Sequence, residues 1–327
     1  MKSKRLPALL LAALLLAGLF AGCGETAETV ELTEEFPNVD LGPLLDEGVP
    51  LADTPYASSV LTPVASGTAT KKNSSAVIDY SNAKDGYVMV KWSGGGTPKL
   101  KVQIKGPGGT TYSYNLRTDG KYETFPFSDG SGSYSVGVYK NIEGTKYSTV
   151  LTQSVNAKLT DEFGAFLRPN QYVNFNANSK AVAKAAELCE GLTDNLDKVQ
   201  AVYNFVVNNT TYDKVKAKSV QSGYLPDVDE TLTTGKGICF DYSSLMAAML
   251  RSQGVPIKLI VGYTGKVYHA WINVWSDKDA EWVEAAIYFN GNEWKLMDPT
   301  FASSGKQSSS IMQYIGNGDN YTAKYQY

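Results

Sequence analysis

The sequence predicts two folded regions in tandem, a small all-β sandwich followed by an α+β domain, and three observations carry that reading. Between residues 67 and 159 apolar residues recur with period two, separated by glycine-rich turns. From residue 160 onward the spacing changes to that of amphipathic helices. Strand-like runs return only after Pro256, and helices first with strands afterwards indicate an α+β arrangement.

The chain opens with an export-signal pattern. Lys2, Lys4 and Arg5 form a basic start, Leu6 to Phe20 are almost wholly apolar, and Ala21-Gly22 precede Cys23. About fifteen apolar residues fall short of the roughly twenty that a membrane-spanning helix needs. Small residues followed at once by cysteine resemble a bacterial lipobox. That predicts removal of residues 1–22, acylation of the Cys23 thiol and anchoring at the extracytoplasmic face of the bacterial cell membrane. A plain signal peptide in which Cys23 is incidental is the alternative.

Residues 23–66 read as a flexible tether. Glu25, Glu28, Glu31, Glu34 and Glu35 cluster, and Pro37, Pro43, Pro50, Pro55 and Pro63 interrupt any regular element. The full chain carries 30 Lys+Arg against 33 Asp+Glu, and losing Lys2, Lys4 and Arg5 with the leader takes the formal charge from -3 to -6. There is no basic patch or arginine-rich run, so nucleic acid is not an expected partner.

In the β region, Val88, Val90 and Trp92 alternate with polar residues, as do Leu100, Val102 and Ile104, then Tyr112, Tyr114 and Leu116, then Tyr134, Val136 and Val138. Ser93-Gly94-Gly95-Gly96, Gly106-Pro107-Gly108-Gly109, Asp119-Gly120 and Asp129-Gly130 mark turns between them. Six or seven short strands at this spacing fit a small antiparallel sandwich. Its tyrosines suit sheet packing, with a ligand groove as the lesser reading.

The α+β domain spans residues 160–327. Residues 178–190 and 195–208 read as helices, the second with Leu196, Val199, Tyr203 and Val206 on one stripe. A loop follows that second helix, through Gly223 to Gly237, and then a helix from about Cys239 to Gln253, stopped by Gly254 and Pro256. Strands are expected at Lys258–Tyr263, Val267–Trp275 and Glu293–Met297. The stretch after Phe301 reads either as a cover for the cleft or as a trailing tail.

Three residues stand out chemically. Cys239 sits where Gly235-Lys236-Gly237 meets a helix start, and a helix N-terminus favours the thiolate, the nucleophilic form. Its own amide is placed to stabilise an oxyanion, and the glycines leave room for a substrate backbone. A buried structural cysteine explains the same position equally well. His269 is the chain's one histidine and lies in the strand Val267–Trp275, sharing a face with Trp271, Asn273 and Trp275. Asp298 ends the following strand and is followed by Pro299, which restricts the backbone before it. A carboxylate there is suited to orient the imidazole, leaving its other nitrogen to take the thiol proton. Cys189 shares a helical face with Val182, Ala185 and Ala186, so core burial accounts for it better than a bridge to Cys239.

Gly237-Ile238-Cys239-Phe240-Asp241-Tyr242-Ser243, Tyr268-His269-Ala270-Trp271 and Lys295-Leu296-Met297-Asp298-Pro299-Thr300 resemble, in order, the three motifs of the transglutaminase-like superfamily. The resemblance covers roughly residues 165–305. It implies a papain-like core with a Cys239–His269–Asp298 triad and thiol-based acyl chemistry on peptide or protein amides, by hydrolysis, deamidation or transfer to an amine. Hydrolysis, as in a cysteine peptidase, is the first expectation, and a non-enzymatic surface module is the alternative.

Supporting roles are sought upstream of the nucleophile and on the histidine strand. Tyr212, Gln221 and Tyr224 are candidates for a second oxyanion donor, Trp271 for a cleft wall, and Asp241 for a cap on the helix after Cys239. One histidine and dispersed cysteines make no usual zinc site, and thiol chemistry needs no cofactor, so neither metal nor cofactor is expected. The oligomeric state is not legible.

Overall fold

The computed structural model describes residues 29–31, 60–283, 287–289, 294–296 and 320–327. Chain order begins with nine strands: β1 (Thr29–Glu31), β2 (Thr70–Lys72), β3 (Ala76–Asp79), β4 (Tyr87–Trp92), β5 (Leu100–Lys105), β6 (Thr111–Asn115), β7 (Glu123–Pro126), β8 (Gly132–Glu143) and β9 (Lys146–Ala157). Next come α1 (Gly164–Leu167), α2 (Lys180–Leu188), α3 (Asn195–Asn209), β10 (Thr211–Tyr212), α4 (Lys214–Ser219), α5 (Val228–Thr234), β11 (Lys236–Gly237) and α6 (Cys239–Ser252). The chain closes with β12 (Ile257–Thr264), β13 (Val267–Ser276), β14 (Glu281–Val283), β15 (Ile287–Phe289), β16 (Trp294–Leu296) and β17 (Tyr321–Gln326).

The β region forms two antiparallel sheets, ordered β1-β9-β8-β5-β6 and β2-β3-β4-β7. Their inner faces are the alternating residues of the sequence. Ile78, Val88, Val90, Trp92 and Phe125 on one sheet, with Val102, Ile104, Tyr112, Tyr114, Tyr134, Val136 and Val138 on the other, are all buried. Two features differ from a meander of short strands. β8 and β9 are 12 residues each and form one long hairpin. Within the stretch read as tether, Thr29–Glu31 pairs antiparallel with Lys146–Ser148, and Val64 exchanges hydrogen bonds with the Tyr87 hydroxyl.

The second region is mixed α and β, as expected. α6 is its central helix, and every residue from Phe240 to Ser252 is buried. One side of the sheet β14-β13-β12-β17 supplies Leu259, Val261, Ala270, Ile272 and Val274 to the core that α6 enters. The stretch between α3 and α6, expected as loop, contains two short helices. Asp213 and Asp227 cap them, the first accepting from the Lys216 amide and the second from the Asp229 and Glu230 amides. Of the stretch after Phe301, residues 301–319 lie outside the described residues, and β17 near its end pairs antiparallel with β12.

A buried cation fixes that last strand. Arg251, 2% exposed, donates from Nε and Nη2 to the Ile257 carbonyl, from Nη1 to the Arg168 carbonyl and from Nη2 to the Tyr327 carbonyl at 2.6 Å. Burial presses its pKa down to about 9, which still leaves it charged at neutral pH. Tyr327 then packs its ring against Tyr112, Tyr114 and Tyr172, so the end of β17 reaches the β sandwich. Gln171 Nε2, donating to the Asn115 carbonyl and to Glu123, and Gln326 Nε2, donating to the Ser128 carbonyl, complete this seam between the two regions.

Replacing Arg251 by Met keeps an apolar stem but takes the donors from the Arg168 and Ile257 carbonyls, while the Tyr327 oxygen keeps the Leu259 amide. The expected cost is about 3 kcal/mol in urea unfolding, since each orphaned acceptor costs about 1–3 kcal/mol. A loss below about 1 kcal/mol would show that apolar packing alone seats the last strand.

Candidate active site

Cys239 is the first residue of α6, half-buried against the main core, and Ile238 before it is extended, with φ -92° and ψ 176°. The loop that delivers it is held by a short parallel ladder in which Thr211 pairs with Lys236 and Tyr212 with Gly237, extended by the Asp213 amide donating to the Gly237 carbonyl at 2.9 Å. The two glycines each have a local structural reason. Gly235 adopts φ +61° as the left-handed end of α5, and a Cβ on Gly237 would come within 2.6 Å of the Asp241 Cβ. Their smallness therefore serves the folding of the loop itself.

Asp241 makes that loop rigid. It is wholly buried and accepts three hydrogen bonds, from the Ile238 amide at 2.8 Å, the Tyr224 hydroxyl at 2.5 Å and Lys216 Nζ at 2.9 Å. The first closes the N-terminal turn of α6, which is the capping role expected of Asp241. Lys216 also lies over the Tyr224 ring, 4.6 Å from its centroid. No motif points to Lys216, because its partner is 25 residues away and α4, which carries it, is too short to show a helical repeat.

The three oxyanion candidates separate. Burial, then the charge of Cys239, then those of Tyr242, Asp241 and Asp213 push the Tyr212 hydroxyl above the usual tyrosine range, so it stays protonated beside the thiol. Tyr224 is likewise held protonated by burial and by Asp241, but its proton is committed to that carboxylate. Gln221 is exposed and turns its amide to the Ser219 carbonyl. Tyr212 is thus the candidate the structure brings to Cys239.

His269 lies on β13 opposite Gly262, and it is 1% exposed. Its ring stacks on Trp271, with centroids 6.2 Å apart and planes at 21°, and Tyr321 of β17 stands 6.4 Å away. Trp271 is itself buried, packed with Ile260 and Tyr321. These residues share the face of β13 opposite Ala270, Ile272 and Val274, the residues in the core with α6. The structure therefore brings His269 together with Trp271 and Tyr321, and Cys239 with Tyr212. Thiol and imidazole ride on elements that pack against each other, α6 and β13. Asp298 and Cys23 lie outside the described residues.

Cys189 and Cys239 are both free thiols; Cys189 is buried, and burial pushes its pKa up. Among the described residues no group of three or more His, Cys, Asp or Glu is placed to hold a metal ion, and no helix is long and apolar enough to cross a membrane.

The approach of β17 to the histidine face depends on Gly262. A Cβ there would come within 2.1 Å of the Thr322 carbonyl oxygen and 2.9 Å of Trp271 Cη2. Gly262→Ala is expected to lower stability by about 2 kcal/mol, as overpacking does, and to speed amide exchange across Tyr321–Gln326. Unchanged exchange there would show that β17 does not press on this face.

A family model described as the transglutaminase-like superfamily matches residues 182–299. An uncharacterized Bacillus subtilis protein, YebA, is 28% identical over 143 residues, covering 41% of this chain and 19% of its own length. A Methanocaldococcus jannaschii protein is 26% identical over 140 residues, covering 39% of each. The chain thus spans well under half the length of these curated relatives. Among solved structures, a provisionally named cysteine protease from Cytophaga hutchinsonii aligns at 17% identity and TM-score 0.37, over 74% of this chain and 83% of that one. Red sea bream transglutaminase aligns at 13% identity and TM-score 0.26, over 65% and 48%. The family match takes in the Cys239 and His269 motifs and the helices and strands that carry them; residues 182–299 of the chain are a transglutaminase-like domain.

Proposed function

We propose that this chain is a thiol enzyme acting on peptide or protein amides through Cys239, His269 and Asp298, with hydrolysis as its reaction. The observation that carries the reading is Cys239 at the first position of α6, half-buried, on a loop clamped by Asp241, within a transglutaminase-like domain. In this reading the Cys239 thiolate attacks the amide carbonyl after His269 has taken its proton. The tetrahedral oxyanion is held by the Cys239 amide and the Tyr212 hydroxyl. His269 returns the proton to the leaving amine, Asp298 orients the ring, and water releases the acyl group from the thiol. Transfer of the acyl group to an amine differs only in the last acceptor. The leader and Cys23 support a lipid-anchored, extracytoplasmic setting, where wall peptides and surface proteins are the amides at hand.

The near-complete burial of His269 against Trp271 and Tyr321 favours a second reading, a surface module whose site is inactive. Iodoacetamide labelling of Cys239 against pH, in a Cys189→Ser background, separates the two. An assembled thiol–imidazole pair is expected to label at pH 6–7 at least about tenfold faster than an ordinary thiol of pKa about 8.5, and His269→Ala should abolish the excess. Labelling that follows ordinary thiol ionisation and ignores His269→Ala would sink the enzyme reading for the free protein.

A further inference from the structure

We infer that Lys216 and Asp241 are positioning residues for Cys239. The carboxylate closes the loop onto the first turn of α6, and the ammonium cancels its charge, so that the thiol retains the favourable field of the helix end. This rests on reading Cys239 as the nucleophile, but it concerns a pair that the motifs do not assign.

Asp241 follows Cys239 by two residues and is fully buried. A carboxylate so close to a helix N-terminus satisfies the helix dipole, yet it opposes ionisation of a neighbouring thiol. Its charge already reaches Tyr212, which also feels Cys239. Loop closure alone would be served by a neutral acceptor, since it requires one oxygen for the Ile238 amide. The structure instead brings in Lys216, a long flexible side chain from another helix, to pair with Asp241 Oδ2 at 2.9 Å. That pairing is costly in side-chain entropy and desolvation. What it supplies beyond closure is neutrality at the thiol.

Delivery of Lys216 is tied to the same loop. Asp213, whose amide is bonded to Gly237, caps α4 by accepting from the Lys216 amide at 2.8 Å. The ladder that positions the segment before Cys239 therefore also sets the start of the helix bearing Lys216. The Tyr224 ring under the ammonium and its hydroxyl on Asp241 Oδ1 fix both members of the pair. The titratable and charged groups of the elements packed here are Tyr212 and Asp213 along the ladder, Lys216 and Tyr224 on Asp241, Asp241 and Tyr242 within α6, Lys236 before it, and His269 on β13, which packs against α6. Asp227 and Glu230 act on Tyr224 from α5 and its cap.

The pH midpoint of Cys239 alkylation reads this directly, in the Cys189→Ser background with folding checked by circular dichroism. Lys216→Met leaves the buried carboxylate uncompensated and is expected to raise the midpoint by about one pH unit, with Lys216→Gln as a second variant. Asp241→Asn keeps an acceptor for the Ile238 amide and leaves the cation, so its midpoint should fall. The double variant Lys216→Met/Asp241→Asn should return close to the parent, and Lys216→Arg should stay there. The Lys216→Met shift should persist in a His269→Ala background, so it is read whether or not the thiol–imidazole pair forms. Midpoints that stay put in all variants, or that move in the same direction for Lys216→Met and Asp241→Asn, would reduce the pair to a structural clasp and overturn the inference.

Discussion

A guanidinium buried among main-chain oxygens is the constraint on which the second domain depends. Arg251 gathers main-chain oxygens from Arg168 at the end of α1, Ile257 at the start of β12 and Tyr327 beyond β17. Its charge is shared among these main-chain oxygens, and it ties the segment at Arg168 to a β12–β17 ladder in which Leu259 and Tyr327 also exchange main-chain hydrogen bonds. Removing the cation leaves the ladder to hold Tyr327 against β12 and cuts the tie from both to Arg168. The aromatic seam of Tyr112, Tyr114, Tyr172 and Tyr327 is built on the result, and it links the sandwich to the domain that carries the thiol.

α6 is charged in a consistent sense from end to end. Asp241 stands in its first turn and Arg251 in its last, the arrangement that a helix dipole favours at each end. Both are nearly inaccessible to solvent, so both need partners inside the protein, and each draws a distant segment in. Asp241 draws in α4 through Lys216 and the following loop through Tyr224; Arg251 draws in the chain's last strand. The residues between them are apolar or small and pack on the sheet, with Tyr242 and Ser244 bonded to the Thr210 and Tyr172 carbonyls. A long buried helix held at both ends keeps its first residue, Cys239, in a fixed place.

Local pattern made much of this readable. Alternation in Val88–Trp92 and Leu100–Ile104 became strands buried on the predicted side, because one face of each sheet is core and period two follows from the pleat. The helix at Cys239 ends where Gly254 and Pro256 indicate. α4 and α5 were missed because only a few residues of each are apolar, although Asp213 and Asp227 sit as caps and Asp227 is followed three residues later by Glu230. β17 was missed because Tyr321–Gln326 has no turn signal tying it to β12, and a strand of mixed polarity is recognisable only from its neighbours.

For the site, the sequence by itself determined the residue types and their order: a thiol at a helix start, an imidazole on a later strand and an aspartate just before a proline. These follow from chain-local chemistry, which helix caps, glycines and proline constrain within a few residues. Only tertiary structure decided which side chains surround them. It turned Tyr224 to Asp241 and left Tyr212 beside the thiol, set His269 against Trp271 and Tyr321, and brought Lys216 to Asp241. Those choices depend on how α4, α6, β13 and β17 pack. Packing joins residues distant in the chain through burial and charge pairing, and local spacing does not encode either.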